Sequence, residues 1–136
     1  MSYTLSLYRF SRAEPAAPDP DVVRALLSPL LAAPEKVSDD GVEFWIRAAD
    51  GSEAEVGVHE HFVGVERPQA GEVWKTVIAL ADRLGAGILV PGGTFLCRED
   101  MRAHLPEGMA DDSVFVPEIT LEAFEGVAGP FRYPLA

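Results

Sequence analysis

Residues 42–58 read Val-Glu-Phe-Trp-Ile-Arg-Ala-Ala-Asp-Gly-Ser-Glu-Ala-Glu-Val-Gly-Val. Apolar residues alternate with polar ones on both sides of Asp50-Gly51, the period of strands that bury one face. The stretch is therefore a hairpin, and its register decides which side chains share a face. A two-residue turn at Asp50-Gly51 would set Phe44 opposite Gly57 and Trp45 opposite Val56, mixing the faces. A three-residue loop of Ala49, Asp50 and Gly51 puts glycine where a left-handed backbone is needed. It pairs Val42 with Val58, Phe44 with Val56 and Ile46 with Ala54. The spacing predicts this second register, with Arg47 across from Glu53 and Trp45 across from Glu55 on the other face.

Working outward, residues 2–10 alternate in the same way and predict a first strand, with Tyr3, Leu5 and Leu7 on one face. Asp19-Pro20-Asp21 supplies a cap, a proline suited to the first helical position and an acid that complements the helix dipole. The helix that starts there kinks or stops near Ser28, because Pro29 clashes with the preceding turn. A third strand is expected over 53–65, bulged at Gly57 or Gly64 and ended by Pro68. Val73, Trp74, Val77, Ile78, Ala81 and Leu84 make the stripe of a second helix, with Gly85 as its left-handed cap. Residues 87–97 read as a final strand or a short hairpin about Pro91-Gly92, and 98–105 as a short helix stopped by Pro106.

The order strand, helix, strand, strand, helix, strand resembles the ferredoxin-like split βαβ fold over roughly residues 2–97. That resemblance implies an α+β domain over 1–106, with two helices on one face of a four-stranded antiparallel βαββαβ sheet. Residues 107–136 are apolar but broken by Pro117, Gly126, Gly129, Pro130 and Pro134. They predict an irregular C-terminal arm packed on the domain or on a partner.

The chain has 136 residues, 22 acidic against 11 basic, and a net charge of −11. Such a surface repels phosphate backbones and anionic lipid, which argues against nucleic-acid and membrane partners; the acids are spread along the chain as on an ordinary solvated surface, and the sharper reading is a basic protein partner. Two lysines beside nine arginines, one glutamine and no asparagine fit a GC-rich, bacterial genome. Cys97 is the lone cysteine, which excludes an internal disulfide and points to a reducing cytoplasm. Met1 to Phe10 lacks the apolar run of a signal peptide, and no stretch reaches membrane-spanning length.

If Leu5, Leu7, Val42, Phe44, Ile46, Val56 and Val58 face the helices, the open face collects Ser6, Tyr8, Glu43, Trp45, Arg47, Glu55, His59 and His61. Aromatic, arginine and histidine side chains on an uncovered sheet are residue types used at binding interfaces. The candidate binding residues are Tyr8, Glu43, Trp45, Arg47, Glu55, His59 and His61. His59 and His61, two apart on a strand, would project from one face and could share a metal, but no third ligand is fixed by the spacing, with Glu55 and Cys97 as candidates. No metal and no cofactor are expected. Gly85-Ala86-Gly87 follows a helix instead of a strand and so fails the requirement of a dinucleotide loop. The function expected is a non-enzymatic acidic binding protein of inhibitor, immunity or adaptor type, working through the open face on another protein or on itself as a homodimer. The alternative is a small ligand-binding or enzymatic ferredoxin-like dimer with a pocket on that face.

Overall fold

The hairpin forms in the expected register. In the computed structural model, which describes residues 4–90 and 93–128, Gly41–Arg47 pairs with Glu53–Val58, Phe44 sits opposite Val56 and Trp45 opposite Glu55. The Ala48 N–H donates to the Ser52 carbonyl at 2.8 Å, closing a three-residue loop in which Gly51 adopts φ +90°.

The ferredoxin-like expectation is overturned, because the sheet is larger and its strands are differently divided. Nine strands form one mixed sheet. They are β1 (Thr4–Ser11), β2 (Glu14–Ala16), β3 (Lys36–Ser38), β4 (Gly41–Arg47), β5 (Glu53–Val58), β6 (Val63–Glu66), β7 (Gly87–Leu89), β8 (Phe95–Arg98) and β9 (Ser113–Val116). The order is β3-β4-β5-β6-β1-β7-β8-β9, with β2 paired to β1. Every pair is antiparallel except β8 with β9. The expected third strand is in fact two: the chain turns at His59–Phe62, where the His59 N–H donates to the Phe62 carbonyl, and returns as β6. No bulge forms at Gly57 or Gly64, which face each other across the β5–β6 pair.

The helices are α1 (Pro20–Leu27), α2 (Val73–Leu84) and α3 (Leu121–Ala128). Asp19 caps α1 by accepting the Asp21 N–H, and Pro29 turns its end into a short 3-10 stretch, Ser28–Leu30. The C-cap of α2 is Gly85 at φ +68°, as expected. Its N-terminus lacks a side-chain cap of its own and is capped from the β4–β5 turn. The Glu72 N–H donates to Asp50 Oδ2 and the Val73 N–H to Ser52 Oγ, both at 2.9 Å. The segment read as an irregular arm supplies β9 and α3. The Ala123 N–H donates to Thr120 Oγ1, and the buried Phe124 ring stacks on Trp74 at 5.1 Å. Residues 129–136, and Pro91 and Gly92 of the β7–β8 connection, lie outside the described residues.

Alternation sends Leu5, Leu7, Phe44, Ile46, Val56, Val63, Val65 and Ile88 to the helix side, where Val23, Leu27, Trp74, Val77 and Leu80 meet them in the main core. Val42 and Val58 pack at its margin. A second, smaller core sits on the other side of the sheet. Phe10, Phe95, Cys97 and Met101 pack there beneath 3-10 turns at Glu99–His104 and Met109–Asp112. The sheet is thus covered on both faces at its β8–β9 end and on one face at its β4–β5 end. Among the described residues no helix is long and apolar enough to cross a membrane.

Candidate functional site

The uncovered part of the sheet is built in cross-strand rows. Glu43, Gly57, Gly64 and Ser6 lie opposite one another in turn, and so do Trp45, Glu55, Glu66 and Thr4. In the first row the two glycines put no side chain on the middle of the sheet, and the His59 ring lies over Gly57. The result is a groove of about 160 Å³ over Gly57 and Gly64, bounded by Glu43, Trp45, Glu55, Glu66 and His59. Residues 31–36 run along the β4 edge, where the Ala32 N–H donates to the Trp45 carbonyl at 2.8 Å. They bring Ala33, Pro34 and Lys36 to the rim.

Trp45 is 48 % exposed yet held in place. Its indole N–H donates to Glu53 Oε1 at 2.9 Å, while Arg47 Nε donates to Glu53 Oε2 at 2.7 Å. The Arg47 and Trp45 bonds hold the Glu53 carboxyl below its ordinary range. One carboxylate therefore orients the indole and ties up the arginine.

A run of stacked rings borders the other side of the groove. His59 stacks on Phe62 at 4.6 Å, Phe62 on Tyr8 at 5.6 Å and Tyr8 on Phe10 at 5.9 Å; Phe10 then meets Phe95 edge-on at 5.7 Å. The ladder joins the groove to the second core. His59 Nδ1 lies 2.9 Å from the Asp40 carbonyl oxygen, which can only accept, so Nδ1 carries a proton and Nε2 is the acceptor of the neutral ring. The ring lies so close over β5 that a Cβ at Gly57 would come within 3.0 Å of Nε2.

Of the expected binding residues, Glu43, Trp45, Glu55 and His59 line the groove, and Tyr8 stands beside it in the ring ladder. Arg47 is on the same face but spent on Glu53. His61 is a correction: it belongs to the turn, exposed and 3.6 Å from Glu60, and does not share a strand face with His59. The paired-histidine geometry that a metal would need is lost with the strand that was to carry it. Among the described residues no group of three His, Cys, Asp or Glu side chains converges as a metal site would require. Cys97 is fully buried, and burial pushes its thiol up to about 11, Glu99 and Asp100 adding to the rise against Arg102. It carries little thiolate at neutral pH. Sequence reasoning missed Glu66, Phe62 and the glycine floor, all of which depend on the unforeseen β5–β6 turn.

No known family pattern matches this chain, and neither does any curated protein or solved structure.

Proposed function

We propose that this chain is a non-enzymatic acidic binding protein, of inhibitor, immunity or adaptor kind, that docks a basic partner protein on the open part of its sheet in the cytoplasm. The observation that carries this reading is the groove beside Trp45. It sets a fixed, exposed indole among Glu43, Glu55 and Glu66, with Lys36 on the rim and Arg67 reaching Glu55 as opposing charges. A tryptophan held in one orientation by a neighbouring carboxylate loses little freedom on binding, which suits an interface anchor.

The volume supports a macromolecular partner over a small substrate, since pockets for whole small molecules run to roughly 300–1,000 Å³. Charge supports a foreign partner over a second copy. Two such faces brought together would oppose Glu43, Glu55 and Glu66 to their own equivalents, and like charges in contact cost affinity. The net charge of −11 disfavours nucleic acid and anionic lipid in the same way.

The test begins with recovery of the tagged protein from its native cytosol at low salt and continues with the purified recovered partner in calorimetry. The expected partner is basic, and its affinity falls as salt rises. Trp45→Ala should weaken it by about 30-fold, the equivalent of roughly 2 kcal/mol for a central aromatic anchor, with the urea midpoint little changed. Equal affinity for wild type and Trp45→Ala would refute the reading, as would binding indifferent to salt.

A further inference from the structure

We infer that the groove seats the guanidinium of one arginine side chain presented by the partner, laid against Trp45 and paired with Glu55 and Glu66. The inference rests on the docking reading above and goes on to name what the partner inserts.

Glu55 and Glu66 stand directly opposite each other across β5 and β6. Like charges in that position repel and weaken a sheet. The arrangement is a local cost to folding, and a cation between the two carboxylates removes it. The chain relieves it only in part. Arg67 reaches Glu55 at 3.4 Å from a side chain 70 % exposed, and the Glu66 side chain makes no ion pair or hydrogen bond among the described residues.

The shape of the groove selects the kind of cation. Its volume of about 160 Å³ is close to the cavity of about 150 Å³ that accommodates a single benzene-sized group. A flat group of that size can lie beside the His59 ring along the row that Gly57 and Gly64 leave without side chains, with one face toward the indole. Guanidinium is planar, stacks on aromatic rings, is weakly hydrated and bonds two carboxylate oxygens at once, whereas an ammonium is a compact, strongly hydrated point charge. His59 adds its Nε2 acceptor at the floor, its other nitrogen being committed to Asp40.

The experiment titrates the full chain with a capped Gly-Gly-Arg-Gly-Gly peptide, followed by amide and indole resonances. Identical peptides carrying citrulline, a neutral isostere, or lysine are the controls. The arginine peptide should give saturable shifts at the Trp45 indole N–H and the Gly57 and Gly64 amides. The lysine peptide should bind at least several-fold more weakly and the citrulline peptide should leave these resonances in place. Glu66→Gln should weaken the arginine peptide by about tenfold while raising the urea midpoint, because it removes the repulsion. Gly64→Ala is a second variant. Its Cβ would meet nothing nearer than Phe62 at 3.7 Å, so it should fold normally and yet bind the peptide less well through a raised floor. Arginine and citrulline peptides acting alike, or a Glu66→Gln protein that is less stable with peptide affinity unchanged, would overturn the inference. A natural partner that depends on Trp45 but tolerates both variants would overturn the arginine seat and leave the docking reading standing. A partner indifferent to Trp45→Ala would instead overturn the docking reading.

Discussion

Ser52→Ala tests whether a turn can cap a helix far from it in sequence. Ser52 is buried, accepts the Val73 N–H at 2.9 Å and donates to Asp50 Oδ1 at 2.5 Å. Val73 is itself fully buried at the start of α2, so the alanine variant strands an amide that water cannot reach. Loss of a cap costs about 1 kcal/mol, and an unsatisfied buried donor about 1–3 kcal/mol, so we expect a loss of about 2 kcal/mol. For a chain of this length that lowers the melting temperature by roughly 8 °C and the urea midpoint by about 1 M. Ser38→Ala, which removes only an exposed 3.4 Å bond to the Gly41 carbonyl, serves as control and should stay within about 0.5 kcal/mol of wild type.

A pH series adds an independent check on the same cap. The Asp50 carboxyl is held below its ordinary value of 3.8 first by the Ser52 hydroxyl, then by the Glu72 and Ser52 backbone N–H groups. A carboxyl depressed in the folded state contributes stability above its unfolded value. That contribution is lost as the pH falls from 3.8 through the folded value. Ser52→Ala removes the largest of these bonds and should make the acid-induced loss shallower. Urea unfolding at pH 7 and across the acid range measures both effects. If Ser52→Ala and Ser38→Ala lie on the same curve at every pH, the idea of a cap supplied by the turn is wrong.

Phe124→Ala should cost about 3–5 kcal/mol in urea unfolding, because the ring is fully buried on Trp74 and its loss leaves a cavity; a near-neutral result would detach α3 from the main core. Gly87→Ala should cost about 1–3 kcal/mol or more, since its Cβ would run into the Phe95 ring and the Cys97 Cβ, which lies 2.8 Å away. Cys97 should resist disulfide-exchange reagents until the protein is unfolded by urea. With its thiol raised from 9.0 to about 11, stability is kept below pH 9.0 and falls as the pH rises through that range.

The sequence carried the local decisions well and the distant pairings poorly. The β4–β5 register followed from one glycine and the parity of Phe44, Ile46, Val56 and Val58. The stripe of α2 and its Gly85 cap were equally plain. The turn at 59–62 was hidden because His-Glu-His-Phe contains none of the usual turn residues. Parity held the clue: Val56 and Val58 occupy even positions and Val63 and Val65 odd ones, so a single straight strand would bury one pair and expose the other. A turn returns all four to the core, and with it come Glu66 beside Glu55 and Gly64 beside Gly57. The β1–β2 turn was equally silent, since Arg12 and Ala13 hold φ of +52° and +69° without glycine. That backbone is retained where the Ala13 N–H donates to the His104 carbonyl at 3.0 Å, a contact made across most of the chain. The parallel β8–β9 pair has no local signature, because its partners meet only after the intervening 3-10 segment has closed over the second core.

The one-sided end of the sheet has a bearing on how such a protein changes over generations. Along β4 and β5 the buried residues Phe44, Ile46, Ala54 and Val56 are each followed by one that faces out. Substitutions at the outward positions are largely free of the packing constraints that bind their neighbours. At the β7–β8 end, where both faces are filled, Phe95 and Cys97 cannot vary without disturbing the second core. One half of the molecule thus works as an inherited frame and the other as a rewritable surface. A lineage could alter that face strand by strand, exchanging a carboxylate here or a ring there, while the fold beneath stays the same.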